Sequence, residues 1–169
     1  MSRGVLTDLL RHSAWANIAL IEFVRGLEPA QRAWTAPGTY GAVDKTLAHI
    51  VSADTYYLFR LTGERPSAGP PEKRPLIDLE DLMRRAREAA MRYERYASGP
   101  VDPDEIRRHD VRPTAGDAET REETVGTILA QAIHHGNEHR SHIGTILDAH
   151  GLSHPDYSGW AWGRSLPSP

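Results

Sequence analysis

Apolar residues recur at helical spacing in four long segments of this chain, each with polar positions on the opposite face. The first runs from about Gly4 to Leu27, with Leu6, Leu9, Leu10, Trp15, Ile18, Ile21 and Val24 near the helical period. Leu27-Glu28-Pro29 should end it, because proline restricts the residue before it. The second begins near Val43 and reaches Leu61, carrying Leu47, Ile50, Val51, Tyr57, Leu58 and Leu61. Asp44 or a neighbour is its candidate cap, and Thr62-Gly63 its stop. The third spans roughly Asp78 to Ala97, and the fourth about Val125 to His150, before Gly151.

The connections differ in kind. Residues Arg65 to Pro75 hold four prolines and read as a surface link. Ser98 to Glu123 reads as the longest irregular segment, with His109-Asp110-Val111-Arg112 as a short extended piece. The tail, Ser153 to Pro169, carries Tyr157, Trp160 and Trp162. Aromatic rings left in water forfeit their burial energy, so the tail is expected to dock on the body. Four long helices without a convincing strand predict an all-α chain, a four-helix bundle formed as one domain over residues 1–169.

Composition narrows the chemistry. At 169 residues, 39% hydrophobic and 25% charged, the chain suits a single core. A net charge of −3 argues against a nucleic-acid binder. The pairs Arg84-Arg85 and Arg107-Arg108 are surrounded by acids and read as solvated faces. With no cysteine, any metal must be held by imidazole, carboxylate or water. That absence fits a reducing cytoplasm. Asp8, Arg11 and Glu22 interrupt the N-terminal apolar residues, against a signal peptide. No stretch approaches the roughly 20 apolar residues of a membrane span. A cytoplasmic protein without membrane partners is expected.

The histidines change the picture most. His134-His135-Gly136-Asn137-Glu138-His139-Arg140-Ser141-His142 holds four of the nine histidines. On a helix, His135 and His139 stand one turn apart on one face, while His134 points away. His49, mid-helix in Leu47-Ala48-His49-Ile50-Val51, could supply a third nitrogen from a facing helix. Three histidines with an open position make a catalytic rather than a closed structural metal site. Gly136, inside this helix, costs about 1 kcal/mol relative to alanine and needs a structural return. His135-x-x-Glu138-His139 also matches an inverted zinc-peptidase pattern. That reading is discounted, because no glutamate follows Glu138 and no second domain follows the helix. Arg140 could clamp an anionic substrate or pair with Glu138 or Asp54. Trp160 and Trp162 could cover a pocket mouth, with packing as the default.

The segment Ala132 to Ile143 resembles the last-helix motif of the DinB/YfiT-like superfamily, a histidine-glycine pair with a second histidine three residues after the glycine. Trp15-Ala16-Asn17, Thr46-Leu47-Ala48-His49-Ile50 with Tyr56-Tyr57 and Leu61-Thr62-Gly63, and Asp156-Tyr157-Ser158-Gly159-Trp160-Ala161-Trp162-Gly163 are similar to other parts of that family. The resemblance spans nearly the whole chain, in order. It implies an unusually connected four-helix bundle, commonly a homodimer, with a divalent metal, zinc or nickel foremost, on His49, His135 and His139. Ser141-His142 departs from the family's Gly-Gln. His142 is therefore a candidate pocket-lining residue, hydrogen-bond partner or proton shuttle, and with Arg140 a catalytic candidate. Relatives of this kind suggest a metal-dependent enzyme of small molecules, a transferase or isomerase using a low-molecular-weight thiol. Without cysteine, that thiol must be a diffusible cosubstrate. A metal-dependent hydrolase, a non-catalytic metal-binding stress protein and a metal-free interaction module are the alternatives.

Overall fold

A computed structural model of the protein describes residues 4–66, 69–74, 76–111 and 119–167. It is mostly helical, and its four long helices fall where the periodicity placed them. They are α1 (Val5–Arg25), α3 (Val43–Thr62), α4 (Leu79–Ser98) and α5 (Val125–Ala149), with a short α2 (Pro29–Arg32) and a C-terminal α6 (Gly159–Ser165).

The ends follow local chemistry. α1 stops two residues earlier than expected, at Gly26, and Pro29 opens α2 instead of merely ending α1. Glu28 and Gln31 form a reciprocal capping box there, with the Glu28 N–H donating to Gln31 Oε1 at 2.8 Å. Asp44 does not cap α3. Ala42 holds that position without a side-chain bond, and Asp44 lies in the first turn, where its charge suits the helix dipole. Gly63 closes α3 at φ +75°, its N–H donating to the Phe59 carbonyl (2.7 Å), a left-handed cap that favours glycine. Asp78 caps α4 by accepting from the Glu80 and Asp81 N–H groups.

Packing gives a ring in which α1 neighbours α4, α4 neighbours α3, α3 neighbours α5, and α5 returns to α1. The consecutive long helices α1 and α3 thus stand mainly across a diagonal. The core divides into two apolar clusters. One is built around Leu20, Ile21, Val24, Leu47, Ile50, Leu82, Ile143, Ile146 and Leu147, the other around Leu10, Leu58, Leu61, Tyr93, Val125, Ile128 and Leu129. Along α1, α3 and α5 the residues between the clusters are polar: Ser13 and Asn17, Ser52 and Asp54, His135, His139 and Arg140. This polar waist positions the candidate site.

The stretch from Ser98 to Glu123 is not irregular throughout. Strands β1 (Ile106–Val111) and β2 (Glu119–Thr124) pair antiparallel, with Arg107 opposite Glu123 and Arg108 opposite Glu122. The extended piece expected at His109 to Val111 lies within β1, whereas Arg112 lies outside the described residues. Charged, not apolar, residues alternate here, so hydrophobic periodicity could not find β2; opposite charges across the ladder support it instead. The hairpin docks through Glu123, which ion-pairs with Arg60 of α3 and lies 3.2 Å from Nδ1 of buried His109. Carbonyls of Glu105 and Pro103 accept from the Val125 and Gly126 N–H groups (2.9 and 2.8 Å), satisfying the start of α5.

The tail docks in part. The Tyr157 carbonyl meets His12 Nε2 at 2.8 Å, and the Trp162 ring stands against His12 at 5.9 Å. Trp160 is 82% exposed and covers nothing. Among the described residues no helix is long and apolar enough to cross a membrane.

Candidate metal centre

His49 on α3 and His135 and His139 on α5 meet at the waist of the bundle. Their ring centroids form a near-equilateral triangle, 4.8, 4.8 and 4.4 Å on a side. One nitrogen from each ring falls within 4.8 Å of the others, so the group could hold a metal ion. His135 Nε2 and His49 Nε2 are 3.0 Å apart. The helical turn brings His135 and His139 together, and the α3–α5 packing of Leu47 and Ile50 against Ile143, Ile146 and Leu147 supplies the third ring.

The far nitrogens are also held. His49 Nδ1 lies 2.5 Å from Glu72 Oε2. A carboxylate only accepts, so Nδ1 carries the hydrogen and the lone pair of Nε2 faces the other rings. Glu72 comes from a 3-10 turn, Pro71–Lys73, in the proline-rich link. Lys45 Nζ fastens that link to α3 by donating to the Arg74 carbonyl (3.0 Å), and Arg74 fastens it to Asp81 of α4 (2.9 Å). His139 Nδ1 lies 3.2 Å from His142 Nδ1, leaving His139 Nε2 for the centre. His142 thus braces one ring from outside.

At His135 and His139 electrostatics favour the neutral imidazole, the form that binds metals. Burial, then the neighbouring His139 and His49, pulls His135 down from 6.5 to about 4. Burial also lowers His139, with His49 and His142 adding to it. The Tyr40 ring stacks on His49 at 4.2 Å and stands edge-on to His139 at 4.9 Å. The ring of Tyr57 stands edge-on to His135 at 5.7 Å.

Arg140 turns away from the three rings. It is 6% exposed, and its Nη1 donates to Asn17 Oδ1 (2.6 Å) and Ser13 Oγ (3.4 Å) of α1. Asn17 Nδ2 in turn donates to Asp54 Oδ2 at 2.8 Å, so the acid named from sequence is reached through an amide. Gly136 makes room for this guanidinium: a Cβ there would stand 3.0 Å from Arg140 Nη1 and 3.4 Å from Ser13 Oγ. That space is the return on a helical glycine. Glu138 lies on the exposed face, 3.9 Å from His134, so the peptidase pattern brings no base to the site. Trp162 packs on His12 instead of covering the centre.

Sequence reasoning missed Glu72 and Tyr40. Only a stiff Pro70-Pro71 step before an acid hinted at the first, and nothing local marked the second. The model of the DinB family matches residues 1–161. No curated protein matches the chain.

Proposed function

We propose, on the premise that the chain belongs to the DinB family, that His49, His135 and His139 hold one divalent ion, zinc or nickel. On this reading the protein is a metal-dependent enzyme of small molecules, a transferase or isomerase that uses a low-molecular-weight thiol. The observation that carries it is the convergence of three imidazoles from two helices, one of them hydrogen-bonded to a carboxylate on its outer nitrogen. The donor set fits such an ion, since imidazole suits zinc, nickel and copper and leaves the centre positively charged. Three protein ligands leave a position open for a reactant. When bound, the ion would supply Lewis acidity and lower the pKa of a coordinated thiol or water.

The chain's own residues prepare that centre. Glu72 holds His49 in one tautomer and orientation. His142 steadies His139 through Nδ1, and burial keeps His135 unprotonated at neutral pH. Tyr40 shields one side of His49 while remaining 51% exposed, so it stands where a reactant would enter. No side chain here is a thiol, so the sulfur nucleophile must come from solution.

The test is elemental analysis of tag-free protein dialysed against metal-free buffer, followed by metal titration. About one divalent ion per chain is expected, lost in His49→Ala, His135→Ala and His139→Ala and kept in His134→Ala. Full retention in His49→Ala would refute the ligand set. Consumption of a small electrophile by metal-loaded protein, with and without added thiol, then separates the thiol reading from hydrolysis. Stoichiometric metal without turnover of either kind would leave a metal-binding protein.

A further inference from the structure

A pocket of ≈180 Å³ opens between α3, α4 and the proline-rich link, with Ser52 of α3 and Arg85 of α4 in its wall. Its other walls are mostly apolar, from the rings of Tyr56 and Phe59 and from Pro66, Pro70 and Pro71. Thr55 also lines it, but its hydroxyl is spent on the Val51 carbonyl at 2.9 Å.

Among the described residues, two polar atoms here lack partners. Ser52 is 9% exposed and Arg85 7%, yet Ser52 Oγ and Arg85 Nη2 make no hydrogen bond to any described residue. An unmet buried donor is costly, more so when it is charged, and both residues line this one pocket, so the pair calls for a ligand. The charge balance points to its sign. Arg85 Nε donates to Asp81 Oδ2 at 2.8 Å, but the same carboxylate also accepts from Arg74 (2.9 Å) and Arg84 (2.5 Å). One acid therefore serves three guanidinium groups. The next, Glu88, lies 3.6 Å from Arg84 and does not bond Arg85.

We infer that this pocket binds a small carboxylic acid with a compact apolar or aromatic body. The carboxylate accepts from Arg85 Nη2 and Ser52 Oγ, satisfying both orphans and completing the local charge. The body lies against Tyr56, Phe59 and the prolines, whose stiff backbone keeps the apolar wall in place at low entropic cost. A cation would meet a guanidinium whose one acid is already shared with two others, and a neutral apolar molecule would leave Nη2 unsatisfied. The site shares structure with the metal centre, since Ser52 follows His49 by one turn and Pro71 precedes Glu72. The inference does not rest on a bound metal.

The test uses chelator-stripped full-length protein and two probes of one shape, benzoate and benzamide, followed by amide chemical shifts. Saturable shifts centred on Ser52, Tyr56, Phe59 and Arg85 are expected with benzoate, at least tenfold weaker with benzamide. Ser52→Ala, which leaves the Asp81 contacts intact, should weaken benzoate by about tenfold, the size of one charge-assisted hydrogen bond. Arg85→Met should erase the preference for benzoate; if that variant fails to fold, Ser52→Ala and the benzamide comparison still decide. No saturable shift, equal binding of the two probes, or shifts centred on Arg107 and Arg108 instead would overturn the proposal. Because metal is absent throughout, failure here leaves the metal reading untouched, and loss of the metal reading leaves this test intact.

Discussion

Replacing Glu72 tests whether the histidine cluster is organised as a metal centre or is merely a polar waist. The carboxylate accepts from His49 Nδ1 at 2.5 Å, with the two side chains 22% and 26% exposed, so the contact is partly shielded from water. It fixes which nitrogen of His49 faces inward and holds the ring in place. Outer hydrogen-bond partners of this kind are worth about 10–100-fold in metal affinity, or about 1.4–2.7 kcal/mol. Glu72→Gln keeps an acceptor but loses the charge, and should fall at the lower end. Glu72→Ala removes both and should approach the upper end. The link itself should survive, since Lys45 and Arg74 hold it independently. The assay is competition for zinc against a chromophoric chelator at fixed pH, with metal-free thermal unfolding as the control for folding. If Glu72→Ala binds zinc within about twofold of the parent and unfolds at the same temperature, the carboxylate does not organise the centre and the reasoning fails.

Gly136→Ala gains about 1 kcal/mol of helix propensity but drives a methyl into Arg140 Nη1. Displacing that guanidinium from Asn17 should leave a net loss of about 1–2 kcal/mol in urea unfolding; a more stable variant would contradict the packing argument. Burial raises Asp54 from 3.8 to about 7, against the lowering pulls of Arg140 and Asn17. Its contribution to stability is therefore full below about pH 4 and lost as pH rises through 7, at no more than about 1.4 kcal/mol per unit. His135, held near 4 instead of 6.5, works the other way: folding resists its protonation, and stability is lost as pH falls from 6.5 towards 4. Between pH 4.5 and 6.5, about the range where both act, the two slopes oppose each other in metal-free parent protein, while His139 and His109, also lowered by burial, add a gain of stability with rising pH. Asp54→Asn should then gain stability with rising pH more steeply than the parent, and His135→Ala less steeply; matching slopes in all three would refute the assignment. Finally, His142→Ala should weaken zinc binding by less than His139→Ala, since it touches the centre only through His139 Nδ1; equal losses by competition titration would make His142 a ligand.

Much of this protein can be read along its chain. The helical period placed α1, α3, α4 and α5, because each buries one stripe against its neighbours and the stripe is a local pattern. Gly63 and Gly151 marked helix ends through backbone freedom that any sequence displays. The one-turn spacing of His135 and His139 follows from helix geometry alone, and His49 is offered with them both by its mid-helix place and by the resemblance. Other features needed the third dimension. The hairpin is fastened by Arg108 meeting Glu122 across the strands and by Glu123 reaching Arg60 of α3, contacts that periodicity does not announce. Glu72 reaches His49 only because the proline link is strapped to α3 and α4. Gly136 looked like a cost until Arg140 filled its space from one turn away. Ser52 Oγ and Arg85 Nη2, without a partner among the described residues, lie on different helices, and burial alone makes them conspicuous. Periodicity reports which face is apolar, whereas charge balance and hydrogen-bond satisfaction belong to neighbours that only tertiary packing selects.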